Sequence, residues 1–245
     1  MGAEAALITG ASSGIGRALA LEFARRGHDL ALVARDAAAL NALAGEHPGR
    51  LHVLPLDVAD AKSRARLAHE LPLVLGERDD GTPGTLDLLV NNAGVLHSGE
   101  RFGHVEQVVL EDSLRINAIG PFLLAQALGH LLTDVADEAE PCRTVIANIS
   151  SQLGSIANTS RFGTPSYDIS KAAQNMGSVL LSRALAERGI VVLALHPGWV
   201  QTEMGGAQAQ VAPADAVAGL LRVIDAATPD LSGSFIDWRG EPLAW

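Results

Sequence analysis

The chain has 245 residues, of which 48% are hydrophobic, and a formal net charge of -10 at pH 7. This length suits one α/β domain with a sizeable core, and the apolar content excludes a disordered chain. The acidic balance gives no basic surface for phosphate backbones or anionic lipid, so we expect neither nucleic acid nor a membrane as a partner.

Short apolar runs alternate along the chain with longer segments whose apolar residues recur at helical spacing. The runs predict buried strands at Ala5–Thr9, Leu30–Ala34, Leu51–Leu56, Leu86–Val90, Thr144–Ile149 and Val191–Leu195. The longer segments predict helices at Ile15–Arg26, Ala37–Ala44, Ala61–Leu75, Leu110–Leu132 and Ser166–Glu187, and helical sequence resumes at Pro213. We therefore predict an α/β fold over residues 1–245: a single-domain, Rossmann-type, doubly wound parallel sheet with helices on both faces. Residues 79–84 are expected to form only a surface turn.

A glycine-rich turn joins the first predicted strand to the first predicted helix. Glycine allows unusual backbone angles and the close approach of a pyrophosphate, and the N–H groups of the helix N-terminus then face the anion. A plain tight turn is the alternative, but the position between a strand and a helix favours dinucleotide binding. The expected contacts are Gly10, Ser12, Ser13, Gly14, Ile15 and Gly16.

The end of the second predicted strand indicates which dinucleotide binds. An acid at this position would repel a 2′-phosphate, whereas Ala34 leaves the space neutral and Arg35 offers a charge-assisted contact. NADP (NADPH) is therefore predicted over NAD. Asp36 is the competing candidate, although it also suits the N-cap of the next helix. Asp57, beside Val58 after the third strand, is expected either to accept from the adenine amino group or to cap a turn.

The fourth predicted strand is followed by a second turn. Asn91, Ala93 and Gly94 are expected to shape it near the adenosine half of the dinucleotide. For Asn91 and Gly94, stabilisation of the strand is an equally good account.

Tyr167 and Lys171 are four residues apart on a predicted helix, so their side chains share one face. A phenol has a pKa near 10, and a nearby ammonium favours its ionised form. We expect this pair to lower the pKa of Tyr167 and make it a usable acid.

These motifs, taken together and in order, resemble the short-chain dehydrogenase/reductase family over nearly the whole chain. The matching pieces are the Gly10, Gly14 and Gly16 turn, Asn91-Asn92-Ala93-Gly94, Asn117, Ile149-Ser150-Ser151, Tyr167-Asp168-Ile169-Ser170-Lys171 and Pro197-Gly198. The stretch after Ser151, its spacing to Tyr167 and residues 196–206 are similar to the C-factor/sniffer type of carbonyl reductases.

The resemblance implies reduction of a small-molecule carbonyl by hydride from NADPH, with Tyr167 as the proton donor. It also implies that Ser151 hydrogen-bonds the substrate oxygen, that Lys171 holds the nicotinamide ribose and that Asn117 positions a water in a proton relay. Ser155 is a rival for the catalytic hydroxyl. The side chain of Asn117 could instead bond a neighbouring carbonyl.

The segment after the sixth predicted strand belongs, by the same resemblance, to the cofactor site. It implies contacts from Pro197, Gly198, Val200 and Thr202, with Thr202 on the nicotinamide carboxamide. A helix N-cap is the alternative for Thr202.

The substrate end is expected to be open, because residues 203–212 leave little material for a lid. Trp199 and Met204 would form apolar walls that suit a small ketone, aldehyde or quinone. His196 and Trp199 are otherwise interpreted as packing residues.

The remaining expectations concern assembly, location and the alternative function. Apolar faces on the helices around 114–132 and 166–185 predict a homo-oligomer, either a dimer or a tetramer. The single cysteine, Cys142, excludes an internal disulfide and is expected to be a small buried residue. With no basic leader before the first apolar run, we expect a cytoplasmic protein. An NADP(H)-binding signalling or regulatory protein is the alternative to an enzyme.

Overall fold

The computed structural model describes residues 4–47, 49–75, 84–134 and 144–245. These residues form a parallel sheet of β1 (Ala5–Thr9), β2 (Asp29–Ala34), β3 (Leu51–Pro55), β4 (Leu88–Asn91), β5 (Val145–Ile149), β6 (Val191–His196) and β7 (Ser234–Asp237). The strand order is β3-β2-β1-β4-β5-β6-β7, which confirms the predicted fold class. The predicted turn at 79–84, apart from Gly84, and Cys142 lie outside the described residues.

Helices cover both faces of the sheet. They are α1 (Gly14–Arg25), α2 (Ala37–Glu46), α3 (Ala61–Leu75), α4 (Gln107–Leu114), α5 (Gly120–Ala127), α6 (Pro165–Ala184) and α7 (Pro213–Asp225). Phe23 of α1 and Leu220 of α7 enter one apolar core, and Leu71 of α3 and Leu124 of α5 enter the other. The central strands are buried along their whole length because both faces are covered. In the described part of the chain, no helix combines the length and apolar character that crossing a membrane requires.

The helix predicted over Leu110–Leu132 is interrupted. A π-helical turn, Arg115–Ile119, separates α4 from α5, and a 3₁₀ turn follows α5. Asn117 within the π-helical turn bonds the backbone outside the helix, and Pro121 in the first turn of α5 has no N–H to donate. The apolar spacing on either side does not reveal this break, since π-helical turns keep the chain helical.

The direction in which successive strands are added to the sheet reverses between β1 and β4. Connections run outward from β1 to β2 on one side and from β4 to β5 on the other, which opens a crevice at the carboxyl ends of these strands. Strand β7 was not predicted, because it has four residues and its burial depends on pairing with β6.

Candidate active site

A cleft of about 970 Å³ crosses the carboxyl ends of the strands. It gathers most of the residues that the sequence predicts to bind cofactor or substrate: Gly10, Ser12, Ser13, Gly14, Ile15, Arg35, Asp57, Val58, Ala93, Gly94, Ser151, Tyr167, Lys171, Pro197, Gly198, Val200 and Thr202. Gly16, Asn91 and Asn117 are buried behind this lining. Their contribution to the site is therefore indirect.

The glycine turn uses its three glycines in two different ways. Gly10 and Gly14 have φ values of 67° and 54°, which favour glycine. At Gly16, a Cβ atom would stand 2.2 Å from the carbonyl oxygen of Gly10 and 2.4 Å from Nδ2 of Asn92. Gly16 thus allows α1 to pack directly on the turn rather than contacting a ligand itself.

Thr9 and Asn92 hold the turn against β4, a role that the sequence analysis missed. The Thr9 hydroxyl accepts from the N–H groups of Asn92 and Ala93, each at 3.0 Å. Nδ2 of Asn92 donates to the carbonyl oxygens of Thr9 at 3.0 Å and Gly10 at 3.3 Å. A sequence signal exists, since Thr9 ends the strand before the glycine turn and Asn92 belongs to the turn after the fourth predicted strand.

The N-terminus of α1 opens into the cleft. Its N-cap, Ser13, makes no side-chain capping bond, and Ser12, Ser13 and Gly14 all line the cleft. The first-turn N–H groups have no partner within the helix, and the positive end of the helix dipole attracts an anion. The turn therefore fits the pyrophosphate of a dinucleotide.

The residues after β2 and β3 are one cation, Arg35, and two acids, Asp36 and Asp57, that accept hydrogen bonds from the backbone. Arg35 is exposed on the cleft wall and forms no ion pair with any described residue. The Asp36 carboxylate accepts from Ala39 N at 3.0 Å, as predicted for an N-cap of α2. The Asp57 carboxylate accepts from Ala59 N at 2.9 Å and so caps a turn. Arg35 remains the group at the tip of β2 that can meet a phosphate.

The side chain of Asn91 lies beside that of Asn148, its partner on β5, on the face of the sheet that α6 covers. Its Nδ2 donates to Oδ1 of Asn148 on β5 at 2.8 Å, and Nδ2 of Asn148 donates to the Ser178 hydroxyl on α6 at 2.9 Å. The structure therefore favours the strand-stabilising account of Asn91 over a side-chain contact with the cofactor.

Tyr167 and Ser151 meet in one wall of the cleft. Ser151 precedes the 3₁₀ turn Gln152–Gly154 after β5, and its side chain hydrogen-bonds the Tyr167 hydroxyl in the first turn of α6. Ser155 is 1% exposed, and its hydroxyl accepts from Asn158 N at 3.2 Å outside the cleft. The geometry supports Ser151 over Ser155 as the hydroxyl beside Tyr167.

Burial dominates the protonation of Tyr167 and Lys171. It raises the pKa of Tyr167 to about 12 and lowers the pKa of Lys171 to about 7. The expected lowering of the tyrosine pKa is therefore wrong for this arrangement, because the cost of burying the phenolate outweighs the stabilisation that the Ser151 hydrogen bond gives it. The Lys171 Nζ lies 5.6 Å from the centre of the Tyr167 ring. Tyr167 is a neutral group that can donate a proton at pH 7.

We expect Lys171→Met to change how the free energy of unfolding depends on pH. The pKa of Lys171 is about 7 in the folded protein against an ordinary value of 10.5, so the unfolded chain binds the extra proton between these values. Wild-type stability then rises with pH through this window, and the variant lacks that rise. The free energy of unfolding of the variant minus that of the wild type should therefore fall by roughly 3 kcal/mol from about pH 6 to about pH 9.5. Urea unfolding at both pH values measures this, and parallel pH profiles would contradict it.

Asn117 ties the loop after β4 to α6. Its Oδ1 accepts from Val95 N at 2.8 Å, and its Nδ2 donates to Val95 O and to the Ser170 hydroxyl, both at 2.9 Å. Both amide donors are therefore committed to the protein, as the structural alternative predicted. The water relay stays a prediction.

The loop after β6 forms the opposite wall. Helix α7 begins only at Pro213, so the N-cap alternative for Thr202 is wrong; its hydroxyl instead accepts from Gly205 N at 3.1 Å and closes a turn. Trp199 is 48% exposed and donates to Gly205 O at 2.8 Å, so it is a cleft wall rather than a packing residue. His196 is buried, as predicted, and burial lowers its pKa to about 4.

The chain has relatives among known proteins. A family model described as short chain dehydrogenase matches residues 4–212. The chain is 38% identical over 162 residues to C-signal of Myxococcus xanthus, covering 66% of this chain and 94% of that protein. NADPH-bound carbonyl reductase from chicken fatty liver is similar with a TM-score of 0.88 and 33% identity over 100% of both chains. Carbonyl reductase Sniffer of D. melanogaster is similar with a TM-score of 0.90 and 31% identity, again over 100% of both chains.

Proposed function

This chain belongs to the short chain dehydrogenase family of oxidoreductases, and we propose that it is an NADPH-dependent reductase of a small ketone, aldehyde or quinone. The observation that carries the proposal is that Ser151, Tyr167 and Lys171 line the same cleft as the glycine turn. The chicken fatty liver neighbour, a carbonyl reductase with NADPH bound, supports both the reaction and the cofactor.

In the proposed reaction, the glycine turn and Arg35 would hold NADPH, which would be the source of the hydride. Tyr167 donates its phenolic proton to the carbonyl oxygen, which becomes more negative as the double bond is reduced, and Ser151 donates a hydrogen bond to the same oxygen. Because both groups are already held side by side, they stabilise the transition state more than the substrate. The Lys171 ammonium offsets the charge left on the phenolate, and the buried surroundings strengthen this attraction.

The walls of the cleft near Tyr167 support a small substrate. Leu96, Leu153, Trp199 and Met204 supply apolar surface there, and the last two are about half exposed. An apolar cleft of this kind, with a few convergent polar groups, suits a small carbonyl compound whose far side stays accessible to water.

Loss of NADPH absorbance over a panel of small ketones, aldehydes, dicarbonyls and quinones tests the proposal, with NADH run in parallel. We expect turnover of small carbonyls and a preference for NADPH. Turnover of large steroids alone would overturn the small-substrate part of the proposal. Tight NADPH binding with no turnover of any compound would favour a different function.

The second candidate is an NADP(H)-binding signalling or regulatory protein. The identity with C-signal of Myxococcus xanthus is the observation that favours it. A shared fold does not separate the two functions. The neighbouring Ser151 and Tyr167 hydroxyls favour the enzyme, since a cofactor sensor has no need of a proton donor.

We expect Arg35→Ala to weaken NADPH binding by about 10- to 100-fold and to leave NADH binding nearly unchanged, because a charge-assisted hydrogen bond to the 2′-phosphate is lost. Fluorescence titration with each cofactor measures the two affinities. Arg26→Ala is the matched control, since it removes the same charge from an arginine paired with Asp225. An equal loss for both cofactors in Arg35→Ala would contradict the assigned role.

We also propose that the chain forms a homo-oligomer, a dimer or a tetramer. Ile119 in the π-helical turn and Ile169, Met176 and Leu180 on α6 are each about half exposed or more. Pairing of two copies would cover such apolar side chains. A light-scattering mass of 25.5 kDa, that of one chain, would remove this proposal.

A further inference from the structure

Two neutral oxygen atoms hold the side chain of Lys171. Its Nζ donates to the carbonyl oxygen of Ile149 at the end of β5 and to Oε1 of Gln174 on α6, each at 2.8 Å. Lys171 and Gln174 are only 3% and 4% exposed. The ammonium therefore depends on these protein acceptors rather than on bulk water.

The amide of Gln174 is oriented for the lysine. An ammonium has donors and no acceptor, so Gln174 presents its carbonyl oxygen to Nζ. This orientation leaves Nε2 of Gln174 buried with no hydrogen-bond partner among the described residues, which proteins usually avoid. The Ser178 hydroxyl bonds the main-chain oxygen of Gln174, at 2.9 Å, and does not satisfy the side chain.

Charged groups do not take the place of these acceptors. Burial is the cause of the lowered pKa of Lys171, about 7. Tyr167 on the same helix and His196 at the end of β6 share the cleft wall, and both are neutral at pH 7, since burial moves their pKa values to about 12 and about 4. The Asp168 carboxylate bonds the Thr164 hydroxyl at 2.9 Å. The parts of β5 and of the π-helical turn that face α6 present hydroxyl and amide groups.

We propose that Gln174 is a positioning residue, whose carbonyl oxygen holds the Lys171 ammonium at the carboxyl end of β5 and keeps it charged. An amide oxygen stabilises an ammonium and not a neutral amine, so its removal shifts the lysine toward the neutral form. The inference rests on the proposed function, in which the charge of Lys171 supports proton transfer from Tyr167.

The sequence allows a direct test without turnover, because Lys62 and Lys171 are its two lysines. NMR of the whole cofactor-free protein with ¹³C-labelled lysine Cε atoms gives one signal from exposed Lys62 and one from buried Lys171. We expect Gln174→Leu to lower the Lys171 titration midpoint by about one pH unit and Gln174→Glu to raise it by about one unit. The Lys62 midpoint serves as the internal reference. Equal Lys171 midpoints in the wild type and in the near-isosteric Gln174→Glu protein would overturn the inference, whether or not Gln174→Leu folds.

Turnover provides the second arm of the test. The neutral amine cannot offset a phenolate, so kcat/KM should fall as pH rises through the Lys171 midpoint. This fall should move to lower pH in Gln174→Leu and to higher pH in Gln174→Glu. Ser182→Ala, which removes a buried hydroxyl further along α6 that donates to Val179 O, should leave it in place. If the Lys171 midpoint moves in the Gln174 variants but neither they nor the wild type turn over any carbonyl, the proposed function is wrong and the inferred contact between Gln174 and Lys171 stands. If the proteins are active but the pH profile of kcat/KM is the same in the wild type and the Gln174 variants, the inference is overturned.

Discussion

Tyr167→Phe is expected to lower kcat for carbonyl reduction by a factor of about 10²–10⁴, the usual contribution of a general acid. The Tyr167 side chain is 8% exposed and hydrogen-bonded to Ser151. Phenylalanine fills the same space, so the variant loses the hydroxyl and little else. The glycine turn is unchanged, and the affinity for NADPH should therefore stay close to that of the wild type. Steady-state kinetics and cofactor titration on the same preparations measure both quantities.

Ser155→Ala is the matched control for this variant, because it removes a nearby buried hydroxyl that lies outside the cleft. It should retain activity, whereas Ser151→Ala should lose much of it. Tyr167 is the one tyrosine of the sequence, so ultraviolet titration of the folded protein follows its phenol alone, and we expect ionisation near pH 12. A Tyr167→Phe protein with the kcat of the wild type would exclude Tyr167 as the proton donor.

Gly16→Ala is expected to lower the free energy of unfolding by about 1–3 kcal/mol, the range for an overpacked core, and to weaken NADPH binding by about tenfold or more. The new Cβ would stand 2.2 Å from the carbonyl oxygen of Gly10 and 2.4 Å from Nδ2 of Asn92. Because the nearest atom belongs to the backbone, the turn itself must move. That movement redirects the N–H groups that would face the cofactor phosphates.

Gly45→Ala in α2 is the matched control, since its Cβ would meet no atom within 4 Å. Within a helix this change should instead raise stability by about 0.5–1 kcal/mol, and NADPH binding should not change. Urea unfolding and fluorescence titration of both variants give the comparison. NADPH affinity equal to the wild type in Gly16→Ala would mean that the close contact does not shape the cofactor site.

The strands and most helices could be predicted because their burial repeats along the chain. Strand β1 and helix α3 occupy their predicted ranges, since their apolar spacing reports the surfaces that they bury. Within the predicted helix over Leu110–Leu132, a π-helical turn lies where Pro121 has no N–H to donate to the preceding turn and where Asn117 bonds Val95, 22 residues away in sequence. The spacing of apolar residues registers neither feature.

The sequence alone determined the sheet architecture, the glycine turn and the residues gathered in the cleft, since these depend on local conformation and on strand ends meeting at one edge. The tertiary structure decided what each polar group does there. It places Ser151 rather than Ser155 beside Tyr167, pairs the Asn91 side chain with Asn148 on β5, and brings the Gln174 amide to Lys171. It also reversed the expected direction of the Tyr167 pKa, because desolvation depends on everything packed around the phenol, whereas helical spacing reports only that a lysine is near.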